Sequence, residues 1–119
     1  MCPENNKKEE CSGHLLAIGD ALEVLNGKWK LPIIVALSFG KFRFRDLQRE
    51  INISPKMLSK ELKDLEMQQL VKRTVFDTTP VTVEYSLTEY ARTLHDVIEA
   101  LHNWGMEHRR RVMGKNRAE

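Results

Sequence analysis

The stretch Ser54-Pro55-Lys56-Met57-Leu58-Ser59-Lys60-Glu61-Leu62-Lys63-Asp64-Leu65-Glu66 decides the reading of this chain. Serine followed by proline is a strong helix start. The hydroxyl accepts from an N–H of the first turn, and proline's fixed φ suits a position whose N–H has no partner anyway. At 3.6 residues per turn, Leu58, Leu62 and Leu65 fall within roughly 60° of one another and form a buried stripe. Lys56, Lys60 and Lys63 occupy a similar arc on roughly the opposite side. Ser59 lies beside them and Met57 on one flank, while Glu61, Asp64 and Glu66 sit off to the side or toward the far end.

The exposed face is therefore cationic, with no acid at its centre. Such a face suits duplex DNA. Lysines neutralise phosphates and release counterions. Ser54, Met57 and Ser59, short or flexible and near the helix start, can approach base edges in the major groove. The helix N-terminus also favours phosphate. Three lysines on one helix are equally compatible with a plain solvated surface, so the neighbourhood has to decide.

Immediately upstream, the sequence predicts a short helix over residues 45–51, with Leu47 and Ile51 facing the core, and a turn at Asn52-Ile53. Downstream, residues 71–76 and 81–87 are strand-like. Val81, Val83, Tyr85 and Leu87 alternate with Thr82, Glu84 and Ser86, and the polar loop Asp77-Thr78-Thr79-Pro80 joins the two runs into a hairpin. Helix, turn, cationic amphipathic helix and hairpin is the layout of a winged helix-turn-helix. Arg43 and Arg45 lie just ahead of the turn, Lys72 and Arg73 at the hairpin base, and Thr78 and Thr79 at its tip. Positions 41 to 64 hold seven Lys or Arg against four Asp or Glu, a local excess of three that a net charge of only +2 conceals.

Farther out, Ile18, Ala21, Leu22 and Leu25 share one face of a first helix ending at Asn26-Gly27. The apolar run over residues 31–37, with Pro32 near its start, predicts a short buried helix ending before Gly40, and residues 41–44 a brief strand. Thr88 starts a long last helix to about residue 111, with a stripe of Tyr90, Ala91, Leu94, Val97, Ile98, Leu101 and Trp104. For a small domain this stripe exceeds what one subunit can cover, so Leu94, Val97, Ile98, Leu101 and Trp104 are the candidate homodimer interface. Gly105 suggests close packing or a bend. The fold class expected is α+β, mostly α: a winged helix-turn-helix with a two- to three-stranded wing and extra N- and C-terminal dimerisation helices. Residues 1–12 read as a flexible polar arm, 13–111 as the DNA-binding domain and 112–119 as a polar tail.

Several runs resemble the HxlR-type winged helix-turn-helix regulators. Asn26-Gly27-Lys28-Trp29-Lys30-Leu31 is similar to that family's GGKWK signature. Arg43-Phe44 with Leu47, the run SPKMLSKELKDL at 54–65, Leu70-Val71-Lys72-Arg73 and Val83-Glu84-Tyr85-Ser86-Leu87-Thr88 occur in the family's order, the last close to its VEYxLT. Trp104-Gly105 is similar to its closing WG. The resemblance implies a MarR-like fold, a homodimer built from the terminal helices, and operator binding by the fourth helix and wing. It also implies, for some members, an N-terminal cysteine that senses oxidants or electrophiles. Here the family's Cys-Pro position falls near Leu16; Cys2-Pro3 lies too far out.

Cys11 is nonetheless a candidate redox sensor, although the adjoining Glu9 and Glu10 disfavour its thiolate. With no apolar h-region in the opening residues and no membrane-length apolar run, the chain reads as cytoplasmic, its thiols reduced by default. His95, Glu99 and His102 point one way from the last helix, yet no fourth ligand is evident and no metal is assigned. No glycine-rich phosphate loop, nucleophile–base set or carboxylate pair stands out, so no cofactor and no enzymatic activity are expected. The partners expected are a palindromic double-stranded DNA operator, a second copy of the chain and an unidentified small-molecule effector, with no membrane. The competing reading is a winged helix that contacts protein or RNA.

Overall fold

The computed structural model describes the backbone of residues 7–118 and the side chains of residues 7–114. The elements are α1 (Lys7–Val24), α2 (Lys30–Ser38), α3 (Phe44–Ile51), α4 (Pro55–Met67), β1 (Val71–Phe76), β2 (Thr82–Leu87), α5 (Glu89–Arg92) and α6 (His95–Ala118). The fold is mostly helical α+β with a two-stranded antiparallel wing. The hairpin register runs from Val71 opposite Leu87 to Phe76 opposite Thr82. The expected strand ahead of α3 shrinks to a single bridge, in which Phe42 exchanges backbone hydrogen bonds with Tyr85 at 3.0 and 2.7 Å.

The core lies between α2, α3, α4 and the wing. Ile33, Ile34, Leu47, Leu58, Leu62, Leu65 and Leu70 are fully buried there. Asn52 closes α3 in the left-handed region (φ 55°), a conformation asparagine tolerates better than most side chains, and its N–H reaches the Gln48 carbonyl. In that turn Ile53 is buried with the leucines of α4.

Thr88 ties the end of the wing to α5. Its hydroxyl oxygen accepts from the Ala91 N–H at 3.1 Å, capping α5, and its proton goes to the Gln69 carbonyl at 2.6 Å. The single long last helix expected from Thr88 is broken here. The N–H groups of Thr93 and Leu94 bond to Tyr90 and Ala91, three residues back, and the Thr93 hydroxyl donates to the Tyr90 carbonyl at 2.6 Å. A threonine side chain competing for backbone groups tightens the turn, and the chain re-enters a helix at His95. Tyr90, expected in the apolar stripe, is exposed as a result.

The terminal helices are longer than expected. Residues 7–12, expected in the loose arm, belong to α1, where Glu9 and Glu10 complement the positive end of the helix dipole. At the other end α6 continues to Ala118, through the expected tail. Gly105 does not interrupt it and does not pack closely, since a side chain built there would meet nothing within 4 Å. Apart from Val24 and Ile98, which pack partly against the core, the apolar residues of both helices are largely uncovered. α1 buries none of its residues, and Leu15, Leu16, Ile18 and Leu22 are exposed together with Val97, Leu101, Trp104, Met106, Val112 and Met113 of α6. The radius of gyration is 18.5 Å, against about 13.5 Å for a compact chain of this length. Among the described residues no helix is long and apolar enough to cross a membrane.

Candidate nucleic-acid interface

α4 begins as its sequence dictates. The Ser54 Oγ accepts from the Met57 N–H at 3.2 Å, with Pro55 in the first turn. Leu58, Leu62 and Leu65 point inward, so the helix cannot rotate without exposing them. Its outward face then carries Lys56, Met57, Lys60 and Lys63, all exposed, with Ser59 half-buried at the edge. Arg43 and Arg45, around the start of α3, are exposed too, as is Arg73 on β1. None of these six cations takes part in an ion pair among the described residues. Their charge is left for a partner.

The wing tip is more ordered than a polar loop need be. The Thr78 hydroxyl donates to the Pro80 carbonyl at 2.7 Å and lies 3.3 Å from that of Thr82. The Thr79–Pro80 peptide bond is cis. Thr78 is thus turned into the loop, whereas Thr79 is exposed with no side-chain hydrogen bond among the described residues. Val81, expected in the second strand, precedes it and is exposed.

The sequence reading missed one feature of α4. Glu61, placed to the side of the cationic face, is buried, and its Oε1 lies 2.7 Å from the Lys30 Nζ at the start of α2. The Asp64 carboxylate is 3.6 Å from the same ammonium. Only 12% of the Lys30 side chain and 11% of the Glu61 side chain remain exposed. One cation from α2 thereby pairs closely with Glu61 and lies within reach of Asp64 on the helix that carries the lysines. A local signal existed: positions 58, 61, 62 and 65 have the i, i+3, i+4, i+7 pattern of an inward face, which puts Glu61 in the stripe.

The other candidates separate. Leu94 and Ile98 pack partly against the core, whereas Val97, Leu101 and Trp104 face outward. The Trp104 ring stacks on His108, with centroids 5.0 Å apart. His95 Nε2 lies 3.5 Å from Glu99 on the exposed side of α6, and no group of three or more metal-ligating side chains occurs among the described residues. Cys11, on α1, is disulfide-bonded, which corrects the expectation of reduced thiols. The other cysteine, Cys2, lies outside the described residues.

Comparison with known proteins agrees with this geometry. A family model described as HxlR-like helix-turn-helix matches residues 24–113. The HTH-type transcriptional regulator YtcD of Bacillus subtilis is 40% identical over 100 residues, 83% of this chain and 79% of that protein. The structure of the redox regulator HypR in its reduced form superposes with a TM-score of 0.76 at 34% identity, covering 82% of this chain and 98% of that one. Diamide-treated YodB from B. subtilis gives a TM-score of 0.65 at 37% identity, covering 75% and 89%.

Proposed function

Because the chain belongs to the HxlR-like helix-turn-helix family of transcriptional regulators, we propose that it binds a specific duplex operator as a homodimer. α4 enters the major groove and the wing rests on the adjacent backbone or minor groove, with residues 13–111 as the DNA-binding unit and the cytoplasm as its location. The observation that carries this is the outward face of α4, where Lys56, Lys60 and Lys63 stand exposed and without ion pairs while the opposite stripe is locked into the core. Ser54, Met57 and Ser59 would face base edges. Arg43, Arg45, Arg73, Thr78 and Thr79 would flank the phosphates, Thr78 with little freedom to donate.

The dimer is supported by the uncovered apolar faces of α1 and α6. Large apolar side chains exposed in such number along two helices mark an interaction surface, and a two-fold partner offers the same surface back. Leu94, Val97, Ile98, Leu101 and Trp104 belong to that interface in this reading. Two recognition helices would then fall about one helical turn apart on a palindrome, roughly 34–36 Å.

The test is a fluorescence-anisotropy titration with duplexes from the chain's own upstream region, first located by footprinting. The reading expects a palindromic site to bind at least ~1,000-fold tighter than scrambled duplex at physiological salt. Equal affinity for both would make the winged helix an adaptor for protein or RNA.

A second reading adds regulation. The disulfide at Cys11 and the redox names of two similar structures favour oxidation as a signal. Operator binding measured in dithiothreitol and after diamide should differ in the wild type and not in Cys11→Ser. An identical response of the two proteins removes Cys11 from sensing.

A further inference from the structure

We propose that the groove between the end of α2, the base of the wing and α5 binds a small organic anion with an apolar body. Strand register assembles its charged side. Phe42 bridges to Tyr85 in antiparallel fashion, which places Lys41 beside Ser86, and on the other side of β2 Ser86 pairs with Lys72. Directly opposed residues on neighbouring strands project from the same face of a sheet. Lys41, Ser86 and Lys72 therefore form one row, two ammonium groups flanking a hydroxyl. Arg92 of α5 lines the same groove, whose volume is about 570 Å³.

Such a row gives the groove a positive potential that an anion would meet. Neither lysine nor Arg92 has an ion pair among the described residues, and Glu89 is the only carboxylate in the lining. The neighbouring hydroxyls are not free to donate. Ser38 gives its proton to the Val35 carbonyl and Thr88 gives its own to Gln69. Donation to a ligand thus falls to Lys41, Lys72, Arg92 and Ser86.

The apolar requirement comes from the adjoining pocket. It holds about 220 Å³, shares Ser38, Leu87 and Arg92 with the groove, and is floored by Leu87, Ala91 and Ile98. A cavity of about 150 Å³ accommodates benzene, so one substituted ring fits with its anionic group directed at Arg92. The site is not the α4 face. It lies at the base of a six-residue hairpin, about 20 Å from the tip.

Isothermal titration calorimetry on the full chain tests this with four probes in phosphate-free buffer. Phenyl phosphate and benzoate carry ring and charge; benzamide carries the ring alone and inorganic phosphate the charge alone. The two complete probes should bind at least about tenfold tighter than the two partial ones, and Arg92→Met and Lys72→Met should each weaken them by about tenfold or more. Arg109→Met, on the exposed part of α6, should leave binding unchanged. Absence of heat with all four probes at millimolar concentration, equal affinity for benzoate and benzamide, or indifference to both substitutions would each overturn the site. So would a lowered salt slope of duplex binding in Lys41→Met and Lys72→Met, which would assign the row to DNA phosphates. The calorimetry contains no DNA, so its result is independent of the operator-binding reading.

Discussion

Replacing Lys30 by methionine keeps most of the side chain's volume and removes its charge. Glu61 Oε1 is 2.7 Å from the ammonium and Asp64 Oδ2 is 3.6 Å from it, and the Lys30 and Glu61 side chains are about nine-tenths buried. Without Lys30, Glu61 is left as an uncompensated charge in the core with a second carboxylate nearby. Breaking a buried pair from one side costs about 3–5 kcal/mol. Asp64 is 42% exposed and keeps its own hydration, so the lower end applies, about 3 kcal/mol. For a chain of this size that is a fall in Tm of about 10–15 °C. Lys30→Met/Glu61→Leu should behave differently, because removing both charges in favour of apolar groups is close to neutral; it should lie within about 1 kcal/mol of the wild type, which makes the coupling between the sites about 2 kcal/mol or more. Urea unfolding monitored by far-UV circular dichroism measures both, at one protein concentration so that any association contributes equally. Duplex affinity should show the same order, weak in the single variant and recovered in the double, because Lys30 also silences two acids beside the cationic face. A single variant within about 0.5 kcal/mol of the wild type, or strictly additive effects, would refute the reasoning.

Four further outcomes are expected. Leu62→Ala opens a cavity at a fully buried position and should cost about 2–5 kcal/mol in the same unfolding assay. Thr88→Val removes both the cap on α5 and the hydrogen bond to Gln69, and should cost about 1–3 kcal/mol; no loss would mean the α4–β1 turn does not depend on it. Lys60→Ala should reduce the magnitude of the slope of log K against log salt by about 0.9 if the lysine meets a phosphate, and an unchanged slope would exclude it from the interface. Leu101→Asp, on the uncovered face of α6, should convert a dimer into a monomer in sedimentation velocity; a dimer that persists would move the two-fold contact elsewhere.

Much of the fold was legible because its signals are local. The cap at Ser54, the spacing of Leu58, Leu62 and Leu65, the alternation from Val81 to Leu87 and the stop at Asn52 all act within one turn or a few strand residues. The same local rules misjudged the last helix, where Tyr90 and Ala91 seemed to continue into Leu94. There Thr93 bonds back to Tyr90 and interrupts the helix, a choice between two acceptable local conformations that periodicity does not resolve. They also misjudged the ends. Residues 7–12 are polar enough to read as a loose arm, yet they extend α1.

The sequence by itself therefore determined the order of α1 to α4 and the wing and which face of α4 is apolar or charged, since helix and strand periods derive from backbone geometry. Which charges meet was decided by the tertiary structure. Lys30 and Glu61 are 31 positions apart, and Lys41, Ser86 and Lys72 become neighbours only when Phe42 bridges to Tyr85 and β1 pairs with β2. The spacing of positions 58, 61, 62 and 65 already places Glu61 on the inward face, but which cation meets it there depends on how α2 packs. The stripe on α4 showed which side is left to solvent; the packing of α2 against it showed that Glu61 and Asp64 meet a cation from another helix.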